Sequence, residues 1–214
     1  DLAASFEERR ATMSGSVSSA AFRLATDGLV DLSDNSFEEL KLDFALLRPS
    51  TLAENLRGTG VQATLTLDGA FAEPKAQYAI GAARLVMNDM ALERFSASGA
   101  ARVDADKILI PVEARAARIT GLDSVAGGRL VNVRLDGDVA IDGTRVLSDN
   151  MRLHSERIDA KVILLADTST GFYSGAIDGR LNNYRIESVG IFNIETDVDL
   201  KSERNGFALA GKVR

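Results

Sequence analysis

The 214 residues carry a formal charge of −6, with 45% hydrophobic and 26% charged side chains and no cysteine. That balance suits a folded chain. It excludes disulfides, thiolate metal sites and cysteine nucleophiles, and it lacks the clustered basic surface that neutralises phosphates in nucleic-acid binding.

The first ten residues are polar, lack the apolar stretch of a signal peptide, and are compatible with a short helix. Ser14–Leu24 reads as a strand, Asp34–Leu40 as one helical turn and Leu40–Leu47 as a strand. Ser50, with Pro49 before it and Gly58 beyond it, is placed to cap a short helix through Leu56. Val61–Asp68 then alternates strictly, with Val61, Ala63, Leu65 and Leu67 on one side and Gln62, Thr64, Thr66 and Asp68 on the other. Gln77–Leu85, Phe95–Val103 and Ile108–Ile119 continue as strands, the last two joined by a tight turn at Asp104–Lys107. Val131, Val133, Leu135, Val139 and Ile141 alternate with polar residues, except at Ala140. Ile158–Ala166 and Phe172–Leu181 flank a turn over Asp167–Gly171. Ile194, Val198 and Leu200 alternate with Glu195, Asp197 and Asp199 before a turn at Ser202–Gly206. A period of two places the apolar side chains on one face and leaves the other wet, the pattern of antiparallel sheets. About a dozen strands are expected.

A unit of apolar residue, small or acidic residue, glycine and strand continuation recurs at Gly15, Gly69, Gly99, Gly137, Gly179 and Gly211. Glycine inside a strand marks bends and close approaches, and bends at similar places on successive strands would curl the whole sheet. The expectation is therefore all-β: a long, strongly curved, mostly antiparallel sheet folded into a groove, with one or two short helices. Residues 1–214 read as a single segment of a longer chain, repeat-like over 61–214.

Catalytic signatures are missing. His154 is the sole histidine and lies in a strand-like stretch. No nucleophile elbow or P-loop occurs, and the Gly121–Gly128 loop is not a dinucleotide fingerprint. Asp136, Asp138 and Asp142, like Glu195, Asp197 and Asp199, alternate with aliphatic residues, so they line a solvated strand face. Calcium ligands instead converge from a turn. The chain therefore reads as non-catalytic, without metal or cofactor. No window approaches the roughly 18 apolar residues of a membrane span. What remains is an apolar face that must be buried against something. One solution is a second sheet, giving a sandwich or solenoid with its function at the surface. The other is lipid: a buried methylene gains about 0.8 kcal/mol, so an acyl chain is held by a continuous aliphatic lining alone.

The stretches Leu67–Tyr78, Gly121–Gly137 and Tyr184–Phe192 resemble the glycine and proline punctuation of the large AsmA-like envelope proteins, in particular the YdbH branch, with TamB as the neighbouring alternative. The resemblance covers roughly residues 60–214. It implies a repeating β-groove protein anchored in the inner membrane of a Gram-negative bacterium and crossing the periplasm. It further implies a segment that passes phospholipid between inner and outer membranes without catalysis, or, in the TamB-like case, one that serves outer-membrane protein assembly. The implied partners are phospholipid acyl chains, neighbouring β-repeats and membrane proteins at either end, with no nucleic acid. The groove-facing residues would be Val61, Ala63, Leu65, Leu67, Val131, Val133, Leu135, Val139, Ile141, Ile194, Val198 and Leu200.

Overall fold

The computed structural model describes residues 2–7, 9–52, 54–104, 107–122, 128–170, 172–186, 190–203 and 206–213. Over these the chain is almost entirely strand. The strands are β1 (Leu2–Glu7), β2 (Arg10–Ser18), β3 (Phe22–Asp31), β4 (Ser36–Leu46), β5 (Leu56–Thr59), β6 (Val61–Ala70), β7 (Lys75–Met87), β8 (Met90–Asp104), β9 (Lys107–Leu122), β10 (Gly128–Asp142), β11 (Arg145–His154), β12 (Ile158–Asp167), β13 (Phe172–Ile186), β14 (Gly190–Glu203) and β15 (Gly206–Val213). Fourteen pair in sequence order into one antiparallel sheet, and short β5 pairs separately with β7. The sheet is open and groove-like rather than closed into a barrel. Among the described residues no helix is long and apolar enough to cross a membrane.

The expected helices are corrected. Leu2–Glu7 is an edge strand paired with β2. Ser36–Leu46 is a strand throughout, because the polar run before it forms the β3–β4 turn, where Asp31 accepts from the backbone N–H of Ser33 and Asp34. Around Ser50 only a 3-10 turn forms, Pro49–Thr51, with no side-chain cap, and the chain returns to strand at Leu56. The span expected as one strand over Ser14–Leu24 is a hairpin. It turns where Ser19 Oγ accepts from the N–H of Ala21 and Phe22, a serine turn that competes with the ladder.

The recurring glycines explain part of the curvature. Residues directly opposite on antiparallel strands share a face. One transverse row of directly opposed residues runs Gly15, Thr26, Leu42, Leu65, Tyr78, Gly99, and the flanking pairs Ala97–Ala114 and Arg102–Leu109 set Gly99 against Val112. Val112 faces Gly137. Beyond a bulge, the row resumes as Met151, Val162, Ile177, Val198 and Gly211. Four of the six glycines thus fall on one line. A Cβ on Gly99 would sit 1.9 Å from the Pro111 carbonyl oxygen, and one on Gly137 would sit 2.7 Å from Met151 Cα. At both positions only glycine permits the approach.

A second line of bends crosses the long strands. Arg94 and Asn132 lie in mid-strand with φ of +50° and +53°. At each, alternation skips a residue: Leu92 and Phe95 share the inner face on β8, as do Leu130 and Val133 on β10. The neighbouring strands skip in step, with Leu85 and Ile119 both opposite Leu92. Left-handed backbone at these points, with the neighbours skipping in step, bends the strands without shifting their register there.

Candidate functional site

Strands β2–β4 and β6–β14 present one continuous apolar face, with no second layer over it among the described residues. Register places Leu46, Phe44, Leu42 and Leu40 of β4 opposite Val61, Ala63, Leu65 and Leu67 of β6. Ala63, Leu65 and Leu67 in turn face Ile80, Tyr78 and Ala76 of β7. The face continues through Ala97 and Ala114 to Leu135. Its side chains are mostly half-buried, whereas those between them are mostly exposed. On a flat single layer the faces would be equally wet, so the greater burial follows from curvature toward the apolar side. The face nevertheless remains open: Ile80 and Ile177 on it are 41% and 40% exposed.

The residues expected to line a groove sort into three groups. Val61, Ala63, Leu65, Leu67, Leu135, Val139, Ile141, Ile194 and Val198 are half-buried and lie on the apolar face. Val133 is on that face but only 5% exposed, in a closed cluster with Ala116, Leu130 and Leu181; Ile119, Leu153, Ile158 and Ile194 pack against it. Strands β10 and β13 lie three steps apart in the sheet, about 14 Å if flat, so this cluster exists only because the sheet rolls. Val131 is a correction. The left-handed backbone at Asn132 (φ +53°) turns it to the outer face, opposite Arg118, whose guanidinium pairs with Glu93 at 3.5 Å. Leu200 pairs with Gly175 through the backbone, and its side chain lies outside the described residues.

Sequence reasoning missed Leu42, Phe44, Tyr78, Ile80 and Ile177. Tyr78 is the most informative. Pro111 has no N–H and interrupts the β8–β9 ladder between Ser98–Glu113 and Arg102–Leu109. The Tyr78 hydroxyl reaches across Gly99 and donates to the Pro111 carbonyl at 2.6 Å. A proline inside a strand run was the available signal, since a central-strand proline demands a compensating arrangement. Burial, then the nearby Glu113 carboxylate, pushes the Tyr78 phenol above its ordinary range. The buried Thr26 and Ser148 hydroxyls on this face have no protein partner among the described residues.

The outer face is held by cross-strand charge pairs. Arg10 and Asp31 meet at 2.7 Å and Arg180 and Glu195 at 3.2 Å, while Lys41 and Asp43 pair along β4 at 3.0 Å. A charged hollow of about 540 Å³ opens there between Asp159, Lys161, Asp178, Arg180, Glu195 and Asp197; its lining suits water and ions rather than hydrocarbon. His154 is exposed at the end of β11. No cluster of three or more His, Asp or Glu able to hold a metal occurs among the described residues. No known protein family, curated protein or solved structure matches the chain.

Proposed function

We propose that the apolar face holds lipid acyl chains, and that the chain is a non-catalytic segment of a bridge-like carrier moving phospholipid between the inner and outer membranes of a Gram-negative envelope. The observation that carries this reading is an apolar face running from β2 to β14, curved and still open, with no protein layer covering it among the described residues. Hydrocarbon is the guest such a surface suits, because its gain comes from area removed from water and needs no specific polar contact. In this reading the segment lies in the periplasm, within an AsmA-like chain of the YdbH branch anchored in the inner membrane, and its edge strands meet neighbouring repeats.

The closed cluster around Val133 favours a second reading, a structural or interaction module of an envelope assembly of the TamB kind, with its core partly sealed by its own side chains. Native mass spectrometry and lipid extraction of the purified chain separate the two. Copurified phospholipid is expected, with loading reduced severalfold by Leu65→Asp or Ile177→Asp while far-ultraviolet circular dichroism stays unchanged. Absence of bound lipid, together with no uptake of an apolar dye by the native protein, would sink the carrier reading. Val133→Asp is a poor probe, because a buried carboxylate there unfolds the cluster.

A further inference from the structure

One stretch of the outer face breaks its own pattern. Leu109, Ala140, Leu147 and Leu165 stand directly opposite one another across β9, β10, β11 and β12, on the face away from the groove. Leu109, Leu147 and Leu165 are 42%, 40% and 36% exposed. The strands here read as unbroken apolar runs, Ile108–Val112 and Val162–Ala166, the signature of strands covered on both sides. The adjacent row on the same face, nearer the hairpin ends, is Lys107, Asp142, Arg145 and Asp167, again directly opposite one another. Asp167 also accepts from Ser169 Oγ at 2.6 Å.

We infer that this surface is a homodimer interface, in which two copies pack these outer faces together about a two-fold axis running along the strands between β10 and β11. Rotation about that axis reverses strand order and keeps position along the strand. Lys107 then faces the second copy's Asp167, and Asp142 faces its Arg145, so all four contacts pair opposite charges. In the next row Leu109 faces Leu165, and Ala140 faces Leu147. A self-complementary patch is what an isologous interface requires, and two sheets with nearly aligned strands form the common sandwich packing. The occupant is a second copy rather than an anionic bilayer surface: the charged row is neutral in sum, and the chain carries −6, which opposes approach to anionic lipid.

The test is sedimentation equilibrium of the 214-residue chain and its charge reversals. The wild-type chain is expected to self-associate reversibly. Asp142→Arg sets arginine against arginine across the axis, and Arg145→Asp sets carboxylate against carboxylate, so each alone weakens association by about tenfold or more. An equimolar mixture of the two variants makes every facing pair opposite in charge and regains wild-type association to within about threefold. Misfolding of a variant would not be repaired by mixing. A wild-type chain that stays monomeric to about 1 mM, reversals without effect, or a mixture that fails to recover each overturns the proposal. So does a monomer that floats with phosphatidylcholine vesicles and loses flotation on Leu147→Lys, an outcome that would assign the row to a lipid surface.

Discussion

The first hairpins of the sheet and the long strands at its centre are held by different forces. Strands β2, β3, β4 and β6 are 9 to 11 residues long, and their hairpins are fastened locally. Asp31, 1% exposed, ties Arg10 to the β3–β4 turn; Phe22 stacks on Phe44, and Phe37 meets Phe71 in the next turn. Strands β8, β9 and β10 are 15 or 16 residues, far beyond the usual five or six. Few local locks hold them; they bend where alternation skips in step and depend on the aliphatic cluster reaching from β9 to β13. Local polar closure suits short hairpins, because one carboxylate can satisfy a whole turn. Long strands need contacts made by rolling the sheet.

Removing the long-strand contact is the most damaging way to break this division. Leu181→Ala empties a site enclosed by residues from β9 and β10 and is expected to cost about 2–5 kcal/mol in urea unfolding. A loss near zero would mean the sheet does not depend on its roll. Next in size is the seam between the regions. Gly99→Ala drives a methyl group into the Pro111 carbonyl and the Tyr78 ring, for roughly 1–3 kcal/mol, and Tyr78→Phe leaves that carbonyl unpaired, for about 1 kcal/mol. Faster amide exchange confined to β7–β9 in Tyr78→Phe would locate the effect at the ladder gap; uniform exchange would refute it.

The smallest effect sharpens the other side of the comparison. The hydrogen bond from Arg10, aided by the backbone N–H of Asp34, holds the Asp31 carboxyl at about 2, against the opposing pull of burial. A folded value below the unfolded one of about 3.9 contributes stability that is complete above that value and is lost as pH falls through about 2. Thermal unfolding of the wild-type chain should therefore weaken between about pH 4 and 2, and Asp31→Asn should flatten that limb. An unchanged acid limb in the variant would show that the turn is not held by this carboxylate.

Much of the architecture was legible because alternation is a local signal. Val61–Leu67 and Leu135–Ile141 have the faces their spacing implies. Errors arose where one residue changes the phase or where turn chemistry mimics another element. The left-handed backbone at Asn132 sends Val131 to the other face, and nothing in the residues around it announces a positive φ at asparagine rather than ordinary extended backbone. Asp34 and the pair Pro49–Ser50 look like helix starts, since capping and turn formation use the same side chains. The closed cluster was invisible for another reason: which strands meet across a roll depends on curvature accumulated over several strands, and no window of sequence contains that sum.

The pairing of each strand with its sequence neighbour turns chain length into a ruler. Fourteen strands in series at about 4.8 Å per step give a contour of roughly 60 Å measured along the curved sheet. Every hairpin inserted or deleted in register would change that contour by close to 10 Å. The distance such a molecule can reach is thus set by counting hairpins.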